Sequence, residues 1–249
     1  VERNRRSIKA YKDASDLFKQ TGNMPEELEC EAETLFVSGR VAGSVVEGKK
    51  AYSESYELFI ESSELYSTKD DKESFARTLS RAAMAAFFLS TYCSDRWEIE
   101  QLTQKGREIA DKAWKLSKDV ENLQSLTESL WAESGLSMTE MMIATFRGDE
   151  RWREYIRKFL SKFVESLKLA EGCDDPLALG NICSQNGSWY CAFGSQFVED
   201  EREQRAYLDK GLGLMEKGLA FTRKAKDKPL IINCLFWLDW FAFLAGRIE

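Results

Sequence analysis

The residue types that most often carry out protein chemistry are unevenly represented in this 249-residue sequence. It contains no histidine, so the commonest general base, the commonest metal ligand and every Ser–His or Cys–His nucleophile pair are absent. A helical di-iron site of the Glu-x-x-His type is excluded for the same reason. Catalysis by carboxylates, lysine or tyrosine stays open, but we expect a protein that is not an enzyme and that holds no metal and no cofactor.

The cysteines are the remaining soft metal ligands and strong nucleophiles. They form no C-x-x-C pair and no framework of short spacings, and most lie in apolar stretches: Cys30, Cys93, Cys173, Cys183, Cys191 and Cys234. In such a stretch a free thiol packs as a small apolar group. We therefore expect free thiols, a reducing compartment and a cytoplasmic location rather than disulfides or a zinc site.

Polar and aromatic residues that interrupt apolar helical stretches are the candidate binding residues. Three of them, Asn181, Gln185 and Trp189, follow one helical stripe at i, i+4 and i+8. Amides and an aromatic platform in a groove can bind a peptide backbone. Alternatively, such amides hydrogen-bond buried backbone or neighbouring helices. The full set of candidates for a peptide or ligand site is Arg77, Arg81, Glu128, Asn181, Gln185, Trp189 and Trp237.

The elements that carry these residues recur with a period near fifty residues. Leu17, Leu65, Leu116 and Leu169 each end an amphipathic stretch and are followed by a polar turn, in steps of 48, 51 and 53 residues. A further step of 53 reaches Thr222 and another polar turn. Such a period is typical of stacked supersecondary units.

Proline positions and a second family of turns follow the same register. All three prolines, Pro25, Pro176 and Pro229, lie seven or eight residues after a marker, where a new helix would begin and proline is tolerated. Asp175 is a candidate N-cap.

A second family of turns combines acidic residues with an arginine. These turns lie at 94–97, 148–152 and 199–202, between the polar turns of the first family. The alternation of the two families defines a hairpin of two helices.

The turns yield a map of alternating A-helices and B-helices. The A-helices are predicted at 25–45, 72–92, 123–146, 177–198 and 229–247. The B-helices are predicted at 2–20, 48–67, 97–119, 151–172 and 202–226. The hairpin units are 1–45, 48–92, 97–146, 151–198 and 202–249. No segment shows sustained period-two alternation, so essentially no strand is expected.

Small residues in the A-helices, such as Ala82-Ala83, Ser134-Gly135 and Gly187, make the hairpin resemble a tetratricopeptide-type repeat. That repeat has about 34 residues, whereas the helices here are longer and lack the family's Trp-Leu-Gly-Tyr pattern. The longer hairpin is similar to those of the vesicle-fusion attachment-protein family and of bacterial and archaeal regulator solenoids. The resemblance implies a single all-α domain over 1–249, a right-handed α-solenoid of about nine to ten antiparallel helices with a binding role, whose A-helices line the concave face.

Charge and hydropathy restrict the partners. Lys and Arg number 35 against 42 Asp and Glu, a net charge of −7, which argues against nucleic acid or an anionic membrane as the main partner. The apolar run 229–246 is short for a membrane span and contains Asn233 and Asp239, so no span is expected. Because this helix is apolar almost all round, we expect further chain, a second copy or a partner to cover 229–247.

The sequence thus predicts the fold more firmly than the biochemical function. The main hypothesis is a protein- or peptide-binding scaffold that uses the concave face of the solenoid. The alternative is a sensor or regulatory domain that binds a small ligand or controls an attached effector domain. An open groove across several hairpins would favour the first, and a closed, aromatic-lined cavity would favour the second.

Overall fold

In a computed structural model, which describes residues 2–148, 152–198 and 200–246, these residues form ten α-helices and no β-strand. The chain divides into two compact units, Val1–Ile156 and Arg157–Glu249. The all-α class is confirmed, and the single domain over 1–249 stays a prediction. The first unit contains α1 (Glu2–Thr21), α2 (Met24–Gly39), α3 (Val45–Thr68), α4 (Lys72–Tyr92), α5 (Arg96–Asp119) and α6 (Leu123–Arg147). The second contains most of α7 (Trp152–Cys173), then α8 (Pro176–Phe197), α9 (Glu201–Ala225) and α10 (Lys228–Leu244).

One predicted helix end is wrong by six residues. The first A-helix was expected to reach residue 45, but α2 ends at Gly39. A Cβ at Gly39 would lie 2.8 Å from the Tyr52 ring, so a residue without a side chain fits this last position of α2 against α3. Ser44 then caps α3 by accepting a hydrogen bond from the Glu47 backbone N–H at 3.2 Å. This Ser-x-x-Glu pattern is a helix-start signal in the sequence itself.

The turns from B-helix to A-helix share one backbone conformation. A residue with positive φ ends each B-helix, and the residue after it precedes the next A-helix. The positive-φ residues are Gly22, Asp70, Glu121, Asp174 and Lys226. The following Asn or Asp lies at 23, 71, 122, 175 or 227, and at the last four of these positions its side chain accepts a backbone N–H of the new helix. A left-handed residue followed by an Asn or Asp cap reverses the chain within two residues.

The cap at Asp175 provides a local stability test. Its Oδ1 accepts hydrogen bonds from the backbone N–H groups of Leu177 at 2.8 Å and Ala178 at 3.0 Å, as the sequence predicted for an N-cap. We expect Asp175→Ala to lower the free energy of unfolding by about 1 kcal/mol, because those N–H groups lose their acceptor. Asp175→Asn keeps an acceptor oxygen and should remain close to the parent. Equal losses for the two variants in chemical denaturation would show that the cap is not the cause.

In the first unit, α4 is the central helix and packs against α3, α5 and α6. Its alanines allow this close packing on several sides, since each is fully buried: Ala76, Ala82, Ala83, Ala85 and Ala86. Aromatic rings fill the space towards α2 and α3, with Phe36 and Phe88 at 5.5 Å and Tyr52 stacked on Phe88 at 5.2 Å between ring centroids. Because α4 lies beside α2 and α6, the polar residues of these three helices are held close together.

The period of the sequence appears in contacts between equivalent helices. Lys49 of α3 pairs with Glu98 of α5 at 2.9 Å, 49 residues apart. In the second unit, Lys217 of α9 pairs with Glu171 of α7 at 2.7 Å, 46 residues apart. Each hairpin thus contacts the hairpin one period away in its own unit, as expected for a helical repeat protein.

Four glycines allow α8 and α9 to cross closely in the second unit. A Cβ at Gly187 would lie 2.6 Å from the backbone oxygen of Gly211, and a Cβ at Gly211 would lie 2.7 Å from that of Gly187. Gly180 and Gly218 are placed similarly one heptad earlier on α8 and one heptad later on α9. Gly187 therefore lies at a close helix crossing.

The last helix leaves much of its apolar surface exposed in the second unit. Cys234 and Phe241 are buried, while the exposed apolar side chains of α10 are Ile232, Phe236, Trp237, Trp240, Phe243 and Leu244. The expectation that 229–247 is covered by other chain, a second copy or a partner stays a prediction; residues 247–249 lie outside the described part. Among the described residues, no helix has both the length and the apolar character needed to cross a bilayer.

Candidate functional site

The A-helices of the first unit carry polar residues in matching pairs four residues apart. Glu29 and Glu33 lie on α2, Arg77 and Arg81 lie one period later on α4, and Gln124 and Glu128 lie one further period on α6. Four-residue spacing places each pair on one side of its helix. We call the surface formed by Glu29, Glu33, Arg77, Arg81, Gln124 and Glu128 the acid–arginine face.

Two bidentate ion pairs join α2 to α4. Arg77 donates from Nε and Nη2 to the two carboxylate oxygens of Glu29 at 2.7 and 2.8 Å. Arg81 donates in the same way to Glu33 at 2.5 and 2.6 Å. The pKa of Arg77 is raised, chiefly by its hydrogen bonds to Glu29. Burial acts to lower the pKa of Arg81, but Glu33 and then Glu128 raise it above its ordinary value. Both guanidinium groups are therefore fixed as cations, each with its own carboxylate.

Glu128 is the carboxylate without an arginine of its own. Its Oε1 accepts a hydrogen bond from Nε2 of Gln124 at 3.2 Å. Its Oε2 is buried and has no hydrogen-bond partner among the described residues. Burial raises the pKa of Glu128, and the opposing effect of Arg81 does not cancel this shift. A buried carboxylate oxygen with no partner is rare in folded proteins.

These residues line a partly open cavity of about 270 Å³. Its lining consists of the acid–arginine face together with Tyr11 of α1 and Cys30 of α2. Burial raises the pKa of the Cys30 thiol to about 11, helped by Glu29 and Glu33. Burial, followed by Glu33, also raises the pKa of Tyr11. At pH 7 the Tyr11 hydroxyl and the Cys30 thiol therefore both face the cavity in their uncharged forms.

Three of the seven sequence-predicted site residues meet at this cavity, namely Arg77, Arg81 and Glu128. Sequence reasoning missed Glu29 and Glu33, together with Tyr11, Cys30 and Gln124. A usable signal was present, since each arginine hydrogen-bonds a glutamate 48 residues earlier. That separation equals the first step of the repeat.

The other predicted site residues lie in the second unit. Gln185 donates to Oδ1 of Asn181 at 2.7 Å within α8, and its own buried Oε1 has no partner among the described residues. Trp189 packs edge-to-face on Phe159 with ring centroids 5.1 Å apart. Trp237 of α10 stacks on Phe241 at 5.8 Å and keeps 37% of its surface exposed. That Asn181, Gln185 and Trp189 share a binding surface with the two arginines stays a prediction.

Elsewhere the described residues offer little for metal or disulfide chemistry. Within residues 2–148, 152–198 and 200–246, no cluster of three or more histidine, cysteine or acidic side chains is placed to hold a metal ion. All six cysteines are free thiols. The cavity of the first unit is thus the candidate site.

Known proteins resemble this chain only in fold. No known protein family and no curated protein matches the sequence. Among solved structures, the chain is similar to the DHF38 filament, with 14% identity over 84% of this chain and 99% of that one and a TM-score of 0.48. It is also similar to the de novo designed helical repeat protein DHR64, with 13% identity over 95% of this chain and 96% of that one and a TM-score of 0.36.

Proposed function

We propose that this protein is a non-catalytic, tetratricopeptide-like scaffold that binds a peptide segment of a partner protein on the acid–arginine face of its first unit. The observation that carries the proposal is the unpartnered, buried Oε2 of Glu128 at a cavity where the other charged groups are paired. Buried polar groups nearly always have hydrogen-bond partners in folded proteins. A ligand atom in the cavity would supply the missing partner.

The chemistry of the cavity supports a peptide side chain over a small regulatory molecule. Its lining is mostly charged and polar rather than aromatic. A single side chain of a partner fits these properties better than the small ligand of a sensor domain.

Glu29, Glu33 and Cys30 of the lining are held in states that support binding over catalysis. The carboxylates of Glu29 and Glu33 are each held by an arginine, so neither is free to act as a base. The pKa of Cys30 near 11 leaves little thiolate at neutral pH to act as a nucleophile. The chain contains no histidine that could activate the Cys30 thiol or act as a base in place of the glutamates. Because all six thiols are free, we also propose a cytoplasmic location.

A peptide-selection experiment tests this function. The full chain would be panned against a random-peptide phage library, and selected peptides would be titrated against two matched variants. Gln124→Trp places a large side chain at the exposed edge of the cavity. Gln104→Trp makes the same change on α5, where Gln104 is exposed and pairs with Glu108 as Gln124 pairs with Glu128. We expect Gln124→Trp to weaken binding at least tenfold and Gln104→Trp to change it less than twofold.

Two results would contradict the proposal. One is that no peptide is selected by the parent protein. The other is that selected peptides bind Gln124→Trp as tightly as they bind the parent.

A further inference from the structure

We infer that the cavity of the acid–arginine face receives a lysine side chain of the partner, with its ammonium group at Oε2 of Glu128. This inference rests on the proposed peptide-binding function and names the residue type that the site recognises. It follows from the charge balance of the lining, the hydrogen bonds already made there and the shape of the free acceptor.

Within the lining itself, one acidic side chain has no cation paired with it. The lining contains three carboxylates, of Glu29, Glu33 and Glu128, against two guanidinium groups, of Arg77 and Arg81. Each guanidinium makes two hydrogen bonds to its own glutamate, which leaves Glu128 as the unmatched acid. Removing one partner of a buried ion pair is costly, whereas adding a cation beside a lone buried carboxylate lowers its free energy.

One further cation contributes to the field at this site. Arg40 interacts electrostatically with Arg81, Glu33 and Glu128, but it is not part of the cavity lining. Its guanidinium lies over the Phe36 ring at 4.9 Å and the Phe88 ring at 5.7 Å. Glu128 Oε2 has no hydrogen bond from Arg40 or from any other described residue. Oε2 is therefore an unsatisfied acceptor beside the cavity, and a small rotation of the Glu128 side chain would present it to a cation from outside the chain.

The free acceptor fits an ammonium better than a guanidinium. Arginine binds a carboxylate best through two parallel hydrogen bonds, which require both oxygens. Oε1 of Glu128 already accepts a hydrogen bond from Gln124, so a guanidinium would have to share that oxygen with Gln124, whereas an ammonium needs only Oε2. A lysine ammonium is a compact point charge whose remaining donors can turn towards neighbouring acceptors, and the Tyr11 hydroxyl and the glutamates of the ion pairs lie in the same lining.

An anionic ligand fits the same residues poorly. The two cations of the lining, Arg77 and Arg81, are already neutralised by Glu29 and Glu33, so they offer an anion little net attraction. It would also lie close to the unpaired carboxylate of Glu128. Displacing a buried glutamate to bind an acid would leave one more uncompensated charge in the cavity.

Lysine mimics and nuclear magnetic resonance provide the test. The full-length, 15N-labelled protein would be titrated with N-acetyl-lysine N′-methylamide, with its arginine and norleucine counterparts and with n-butylamine. We expect the lysine compound to shift the side-chain amide of Gln124 and backbone amides around Glu29 and Arg81. It should bind at least tenfold more tightly than the norleucine compound, more tightly than the arginine compound and no more weakly than n-butylamine.

Two matched variants separate recognition from folding. Glu128→Gln should weaken binding of the lysine compound at least tenfold, while Glu108→Gln, the same change in the exposed Gln104–Glu108 pair, should leave it unchanged. Because the pKa of Glu128 is raised in the folded protein, ionisation of this group favours unfolding as the pH rises from the ordinary glutamate pKa towards the raised value. Glu128→Gln should therefore be at least as stable as the parent at neutral pH while binding lysine less well. A variant that lost binding because it misfolded would instead show both lower stability and weaker lysine binding.

The outcomes distinguish this inference from the function on which it rests. It is overturned if the norleucine compound binds as well as the lysine compound, or if Glu128→Gln binds the lysine compound as tightly as the parent does. It is also overturned if n-butylamine binds much more tightly than the lysine compound, because that result identifies a free amine as the ligand. Selected peptides that bind in a Gln124-dependent manner without any need for lysine would overturn the inference and leave the peptide-binding function standing.

Discussion

Replacing Arg81 with methionine is expected to lower the free energy of unfolding of the first unit by about 3–5 kcal/mol. The side chains of Arg81 and Glu33 are only 16% and 11% exposed. Removal of the guanidinium leaves the Glu33 carboxylate buried without its two hydrogen bonds. It also removes the main favourable charge acting on Glu128. The loss should therefore be far larger than that for an ion pair on the surface.

Hydrogen exchange of α4 amides measures this effect within the first unit. Arg96→Met serves as the control, because Arg96 pairs with Glu100 while its side chain is 56% exposed and such pairs contribute at most about 1 kcal/mol. The double variant Arg81→Met, Glu33→Met should recover part of the loss, since it removes both charges of the pair but leaves Glu128 without Arg81. An Arg81→Met protein whose α4 amides exchange like those of Arg96→Met would show that the ion pair is not buried as described.

Replacing Gly187 with leucine is expected to destabilise the second unit by about 3 kcal/mol or more. Overpacking a core usually costs about 1–3 kcal/mol. Here even the Cβ would lie 2.5 Å from the Met215 side chain and 2.6 Å from the backbone oxygen of Gly211. A side chain can move aside, but the backbone of α9 cannot do so without separating the two helices. The upper end of the range is therefore expected.

A matched glycine on α9 controls for the intrinsic effect of glycine in a helix. Gly213 is exposed, and a Cβ added to it would have no neighbouring atom within 4 Å among the described residues. Gly213→Ala should stabilise the protein by about 0.5–1 kcal/mol, because alanine loses less backbone entropy on folding. Hydrogen exchange of α8 and α9 amides measures both changes. A Gly187→Leu protein whose α8 amides are as well protected as the parent's would show that the crossing is misplaced.

The fold was predictable because its signals are local and repeated. A polar turn followed by an Asn or Asp cap, and a proline in the first turn, indicate a helix start without knowledge of distant contacts. Pro176 and Asp175 show this at α8. The end of α2 was predicted wrongly although a local signal was present, because Ser44 and Glu47 form a helix-start pattern that places the start of α3 at Val45.

The site was only partly predictable because it depends on pairing between hairpins. Arg77, Arg81 and Glu128 stood out as charges in apolar helices, but Glu29 and Glu33 lie in the glutamate-rich segment 26–33, which gives no local sign of burial. Their role follows only when the repeat is used to align α2 with α4. No sequence signal indicates the unsatisfied acceptor on Glu128. It arises because Arg77 and Arg81 pair with Glu29 and Glu33 instead.

The proposed contact between a partner lysine and Glu128 can be measured most directly with a double-mutant cycle. A peptide selected by the parent protein would be compared with its lysine-to-norleucine form, each against the parent and against Glu128→Gln. If the two groups meet in the cavity, either change alone removes the interaction and the second adds little, which gives a coupling of at least about 1.4 kcal/mol, or tenfold in affinity. Losses that simply multiply would mean that the lysine and Glu128 act independently, and would contradict the account.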